Sequence, residues 1–245
     1  MRSRRVYRTG REKDELRPVQ ITTEPLKYPE GSALIQIGDT RVICSATVEK
    51  RVPPFLTGMD QGWITAEYAM LPCSTKTRSA RERGRGPKGR SQEIQRLIGR
   101  ALRATADLSL LGERTILVDC DVVQADGGTR TAAITGAYVA VALAERGLIK
   151  QEHISRSFLK DQVAAVSVGL VDGQILLDLD YTEDSSAEVD LNIAMTGSGR
   201  LVEVQGTAEG EPFSRTMLNR MINIASRGMA ELFRIQKEAL HTRSR

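Results

Sequence analysis

Residues Ala132 to Ala144 form a run so uniformly apolar that, at helical spacing, almost no face is left for water. A helix that is hydrophobic all round has to be enclosed by other elements, so this one belongs in the interior of a layered structure. Just upstream, Thr115 to Val123 reads as a strand. Gln124-Ala-Asp-Gly-Gly-Thr-Arg-Thr131 joins the two. Adjacent glycines let the backbone turn sharply and approach a ligand closely, because neither carries a Cβ. The residues after them present free backbone N–H groups at a helix N-terminus, where the macrodipole favours an anion. Thr129 adds a hydroxyl, and Arg130 a guanidinium able to grip phosphate through two parallel hydrogen bonds. Many strand–glycine–helix turns bind nothing and merely pack tightly, so this oxyanion cradle needs support from the rest of the chain.

The flanking pattern is regular. Pro18 to Glu24 and Ala33 to Ile37 read as strands, Gly38-Asp39 as a two-residue turn, and Val42, Cys44, Ala46 and Val48 alternate along a third strand. Trp63 to Met70 is extended again, and Leu71 to Gly89 is a long basic loop expected to be functional or mobile. A helix is expected from about Gln92 to Leu108, capped by Ser91, with Ile94, Leu97, Ile98, Ala101 and Leu102 as its buried stripe. In the second half, Val163 to Val171 and Gln174 to Leu179 form a hairpin over Asp172-Gly173. Ala187 to Met195 and Arg200 to Gln205 form another, and Ser214 caps a long final helix. Strand groups followed by helices, twice over, predict an α/β or α+β fold of mixed sheets packed against helices. They read as two related halves in one domain spanning residues 1–245, with a basic leader (1–13) and a frayed tail (241–245).

Charge is unevenly spread. Residues 73–103 carry ten Lys/Arg against two acids, whereas residues 161–199 carry eight Asp/Glu and no Lys or Arg. The first segment suits a polyanionic partner and the second a cation; the bland alternative is two solvated faces. The arginine-rich leader has no apolar stretch after it and is not a secretory signal, and no apolar run approaches a bilayer-spanning length. Cys44, Cys73 and Cys120 are odd in number, far apart and without a C-x-x-C, which argues against disulfides and a zinc site and for a reducing cytoplasm, and with no bilayer-spanning run no membrane partner is expected.

Three further groups bear on chemistry. Arg90 precedes the helix at Gln92 and would meet the same anion as Arg130 if the two helix starts converge; otherwise it is a surface arginine. Glu183-Asp-Ser-Ser-Ala-Glu-Val-Asp190, preceded by Asp178 and Asp180, concentrates carboxylates whose repulsion a divalent cation would relieve. Glu188 and Asp190 alternate along a strand and should share one face, with Asp184 at the turn before it. Lys76, Arg78, Arg81, Arg83, Arg85 and Lys88 look like a track for a phosphodiester backbone, and the absence of aromatics in that loop favours sequence-independent contact. His153 and His241 are the two histidines, neither a credible general base, and no Walker loop or nucleophile elbow is present. A phosphate site without a base fits chemistry in which phosphate itself is the nucleophile.

Taken together, these stretches resemble the ribonuclease PH family. The likeness runs from Gly10-Arg-Glu-Lys-Asp-Glu-Leu-Arg-Pro18 to the final helix. Its most specific parts are Gly62-Trp-Ile-Thr-Ala-Glu-Tyr68, Glu93-Ile-Gln-Arg-Leu-Ile-Gly-Arg-Ala-Leu-Arg103, the cradle, the acidic stretch and Met195-Thr-Gly-Ser-Gly-Arg200. The resemblance implies a ribosomal-protein-S5-like fold and phosphorolytic 3′→5′ trimming of tRNA precursors, with ribosomal RNA a further substrate. The reaction releases nucleoside diphosphates and is reversible.

It also implies specific residues. Inorganic phosphate, the co-substrate, would be held by Arg90, Gly128, Thr129 and Arg130. Asp184 and Asp190 would serve Mg²⁺ and the chemistry, and Arg78 and Arg81 the tRNA body. A further family arginine falls at Cys73, so RNA affinity would be altered, or supplied by Lys76, Arg83 or Arg85. Family members form homohexamers, trimers of dimers. Two other readings stay open at this point: a non-catalytic RNA-binding subunit of an exosome-like ring, and a metal-dependent hydrolytic nuclease.

Overall fold

The computed structural model describes residue 8, residues 10–82 and residues 89–241. Most of the leader, Arg83, Arg85, Lys88 and residues 242–245 therefore lie outside the described residues. Two sheets are present. The first contains β1 (Val19–Thr23), β2 (Gly31–Ile37), β3 (Thr40–Glu49), β4 (Trp63–Met70) and β5 (Thr115–Gln124), in the order β1-β2-β3-β5-β4. Its pairs are antiparallel except β4 and β5, which run parallel because α1 (Gly89–Ala104) crosses over between them. Parallel neighbours need such a crossover, whereas the tight Gly38 turn lets β2 and β3 pair directly. The second sheet contains β6 (Val163–Val171), β7 (Gln174–Leu177), β8 (Val189–Thr196) and β9 (Leu201–Ala208), all antiparallel, in the order β7-β6-β8-β9.

Between the sheets runs α2 (Thr129–Lys150), packed on β2 and β3 on one side and β6 on the other. Ala132, Ile134, Val139, Val141 and Leu148 are all buried, and each large aliphatic among them stabilises the fold by about 1.5–3 kcal/mol. The approach to β2 is so close that a Cβ on Gly31 would lie 2.0 Å from the Ala140 carbonyl oxygen. The helix extends well beyond Ala132–Ala144, to 22 residues, and is by length and composition apolar enough to cross a bilayer. That corrects the expectation that no such run exists. Its environment is protein: 78% of the apolar window is buried.

The first helix also departs from expectation. It begins at Gly89, so Arg90 and Ser91 lie in its first turn, and Ser91 is not a cap but donates to the Glu82 carboxylate at 3.0 Å. It stops at Ala104 because Thr105 folds its hydroxyl back onto the Leu102 carbonyl and Asp107 caps a separate 3₁₀ turn over Leu108–Leu111. The first part of the basic loop is stitched down, with Leu71 N–H donating to the Val122 carbonyl and Ala125 N–H to that of Ser74. Finally α4 (Arg215–His241) starts where expected, with the Ser214 hydroxyl accepting from Met217 N–H. It lays Met221, Ala225, Met229 and Leu232 on the second sheet. Its fully buried Gln236 donates to the carbonyls of Thr135 and Val163, both at 2.9 Å, tying α4 to α2 and β6.

Candidate active site

The cradle forms where β5 ends. Gly127 and Gly128 have φ of 75° and 65°, the left-handed region that favours glycine. A Cβ on Gly127 would lie 2.5 Å from the Leu179 carbonyl oxygen and 2.8 Å from the Tyr181 nitrogen, so the turn seats directly against the second half of the molecule. Gly128 caps α2 and contributes no side-chain hydrogen bond, which leaves the first N–H groups of a long helix for an anion. Thr40 braces the turn, donating to the Gly127 carbonyl at 2.6 Å and accepting from Asp126 N–H at 2.9 Å.

Each cradle side chain has its own support. The buried Tyr68 hydroxyl donates to Thr129 Oγ1 at 2.8 Å, and burial pushes its phenol above the ordinary range. Tyr68 therefore stays a donor, and Thr129 keeps its own proton for a ligand. Arg130 donates to Gln205 on β9 and lies 3.5 Å from Glu93 on α1, while Gln205 donates to Glu93 at 2.8 Å. Three elements thus fix one guanidinium. Arg90 projects from the first turn of α1 into the same space.

Opposite stand two carboxylates. The single turn α3 (Tyr181–Asp184) is held by a capping box, with Asp180 accepting from Glu183 N–H at 2.9 Å and Glu183 from Asp180 N–H at 3.1 Å. It presents Asp184, and β8 presents Asp190. A cavity of about 370 Å³ is lined by Arg90, Gly127, Gly128, Thr129, Arg130, Asp184 and Asp190, together with Met70, Thr75, Ser167, Tyr181 and Asn192. A larger groove, about 750 Å³, lies between the N-terminal segment and α4, shares no lining residue with this cavity, and has mixed charges. Burial, then the neighbouring Asp190, pushes the Asp184 carboxyl above its usual value, with Arg130 and Arg90 opposing. Burial raises Asp190 as well, against the pull of Arg130.

The rest of the acidic stretch is elsewhere, which corrects its reading as one cation-binding cluster. Glu188 precedes β8, is exposed, and accepts from Gly173 N–H at 3.2 Å rather than facing the cavity beside Asp190. Glu183 is held by Arg8 at 2.6 Å and Arg11 at 3.1 Å, and Asp178 by Arg17 at 2.7 Å and Arg11 at 3.3 Å, all with nearly buried side chains. The basic partners missing from residues 161–199 come from the N-terminal segment. Arg17 reaches further, donating to the carbonyls of Asp126 and Gly127 behind the cradle. Sequence reasoning missed Arg17, Thr40, Tyr68, Glu93 and Gln205; most stood inside motifs already singled out, with no signal of what they would touch.

Among the described residues, no group of three or more His, Cys, Asp or Glu gathers to hold a metal. Asp184 and Asp190 nevertheless suit Mg²⁺, which takes one or two carboxylates and completes its shell with phosphate oxygens and water. Burial raises both carboxyls, with Asp190 adding to the effect at Asp184, and a cation between them would favour their charged forms. In the basic loop, Lys76, Arg78 and Arg81 are exposed, and the Lys76 ammonium lies 5.9 Å from the Tyr181 ring centroid at the cavity mouth. Cys73 is exposed and free.

Known proteins resemble this chain in sequence and in fold. Models of the 3′ exoribonuclease family match residues 15–146 (domain 1) and 161–228 (domain 2). The chain is 63% identical to ribonuclease PH of Moorella thermoacetica over 232 residues, 94% of this chain and 93% of the relative. It is 59% identical to ribonuclease PH of Bacillus cereus over 233 residues, 94% and 95% of the two chains. Its fold matches rice Rrp46 with a TM-score of 0.77 at 19% identity, covering 95% of this chain and 99% of that one. An Archaeoglobus fulgidus exosome with RNA bound to its active site matches at 0.74 and 23% identity, covering 92% and 90%.

Proposed function

The chain belongs to the ribonuclease PH family of 3′ exoribonucleases, and we propose that its phosphorolytic trimming of RNA 3′ ends, tRNA precursors foremost, runs in the cavity between the cradle and the two aspartates. The observation that carries this assignment is the convergence of Arg90, Thr129 and Arg130 with Asp184 and Asp190 from separate parts of the chain. Orthophosphate sits on Arg90, Arg130, the Thr129 hydroxyl and the Gly128 N–H, all aimed where negative charge must be held. One phosphate oxygen attacks the terminal phosphorus in line. The bond from that phosphorus to the 3′ oxygen of the preceding nucleotide breaks, and the terminal nucleotide departs as a nucleoside diphosphate. The freed 3′ oxygen takes a proton from Asp184 or Asp190, whose raised pKa values favour a protonated fraction. Mg²⁺ held by whichever carboxylate of the pair stays ionised would neutralise charge on the scissile phosphate.

The remaining roles follow from charge and exposure. Lys76, Arg78 and Arg81 contact the body of the tRNA, and Arg83 and Arg85, outside the described residues, add positive charge to that loop by sequence. A homohexameric ring in the cytoplasm fits a chain whose cysteines are all free thiols and whose structural likenesses include an archaeal exosome core.

Incubating the protein with 3′-labelled RNA and Mg²⁺, with and without phosphate, should release nucleoside diphosphate only when phosphate is present. Nucleoside monophosphate released without phosphate would make the protein a hydrolase, and no release at all an RNA-binding subunit. Separately, Arg78→Ala with Arg81→Ala should raise KM for precursor tRNA on the order of tenfold, the loss of two phosphate contacts. Turnover of a short oligonucleotide that cannot reach the loop should stay within twofold, and equal losses on both substrates would remove the loop's special role.

A further inference from the structure

One ring on the wall of this charged cavity is left unused by the phosphate chemistry. Tyr181 opens α3, is 55% exposed, and lines the cavity three residues before Asp184. Its base is rigid: the backbone at Tyr181 abuts Gly127, and the capping box beneath it is locked by Arg8 and Arg11 on Glu183. Among the described residues lining the cavity, Tyr181 is the one aromatic and Met70 the other large apolar side chain. The Lys76 ammonium lies over one face of the ring, 5.9 Å from its centroid, and holds a positive charge there.

We propose that Tyr181 is the stacking platform for the base of the RNA 3′-terminal nucleotide, and for the base of a nucleoside diphosphate in the chain-extending direction. This deepens the phosphorolytic reading and rests on it. A phosphodiester held between Gly128 and Asp184 places its nucleoside next to α3, where this exposed ring stands. Every base offers a π-face, so a single aromatic holds any 3′-terminal residue without reading sequence. The basic loop has no aromatic of its own, and the tertiary structure supplies one from the second half of the chain.

Tyr181→Ala should raise KM for a nucleoside diphosphate and for a short oligoribonucleotide about tenfold, while KM for phosphate stays within about twofold. Tyr181→Phe keeps the ring and should lose less than threefold. An oligonucleotide with an abasic 3′-terminal residue should be as poor a substrate for the unsubstituted protein as the normal oligonucleotide is for Tyr181→Ala. Combining the two changes should add little further loss, because both delete one contact. Tyr181→Trp should show fluorescence quenched by a nucleoside diphosphate, against the unquenched Trp63 of the parent at the far end of β4. Unchanged KM values in Tyr181→Ala, a Phe variant as poor as the Ala variant, or fully additive losses would overturn the proposal. If the unsubstituted protein releases no nucleoside diphosphate with phosphate present, the phosphorolytic reading has failed instead.

Discussion

Replacing Arg130 with alanine is expected to lower phosphorolytic turnover by roughly a hundred- to a thousandfold, the usual cost of removing a preorganised donor to developing charge. The fold should survive. Arg130 lies 3.5 Å from Glu93, whose side chain is 42% exposed and retains a hydrogen bond from Gln205. With one partner this exposed, the ion pair contributes only about 0–1 kcal/mol, and the hydrogen bond Arg130 donates to Gln205 about 0.5–1.5 kcal/mol. The melting temperature should therefore fall by no more than roughly 10 °C. Arg130→Lys should recover a minor part of the activity, since an ammonium restores charge but not the planar fork. The comparison requires saturating phosphate and a thermal melt of each variant. Turnover within tenfold of the parent would remove Arg130 from the reaction, and a collapsed melt would make its role structural.

Asp178→Asn is the second large effect, and it falls first on stability. Asp178 is 2% exposed and accepts from both the backbone N–H and the guanidinium of Arg17, with Arg11 alongside. Its φ of 53° is one that asparagine tolerates as readily, so the substitution tests charge rather than backbone strain. The nearly buried Arg17 would lose its counter-charge and Arg11 one of its two, and breaking such a pair costs roughly 3–5 kcal/mol. For a chain of this size, that predicts a melting temperature lower by roughly 10 °C. Arg17 also holds the carbonyls behind the cradle, so KM for phosphate should rise in the same variant at temperatures where it remains folded. A melt within 2 °C of the parent would show that the arginines find other partners.

Much of the architecture was legible in local pattern. Strand alternation and the turn residues located nearly every strand, because periodicity and turn chemistry are short-range properties. Helix ends were less legible. Ser91 looked like a cap, but Glu82 takes its hydroxyl and the helix starts two residues earlier. The apolar helix was placed correctly but cut short at Ala144, because polar residues in its last turns blur the pattern. In the candidate site, Arg90, Gly128, Thr129, Arg130, Asp184 and Asp190 were all singled out from residue type and motif, and they meet in one cavity. Their supporting partners were not, since Tyr68, Glu93 and Gln205 carry no local mark of the neighbour they will touch.

Sequence alone determined that a glycine-bent strand-to-helix turn would offer N–H groups, a hydroxyl and a guanidinium to an anion, because those are properties of adjacent residues and of helix geometry. It also determined that the following helix would be buried, since residues 132–144 leave almost no face that suits water. Tertiary structure decided which charges are free to act. Of the eight carboxylates along residues 161–199, packing the N-terminal arginines onto Asp178 and Glu183 neutralises those two and leaves Asp184 and Asp190 facing the cradle. The reason is that a charge is defined by its nearest counter-charge in space, and here the counter-charges come from more than 160 residues away.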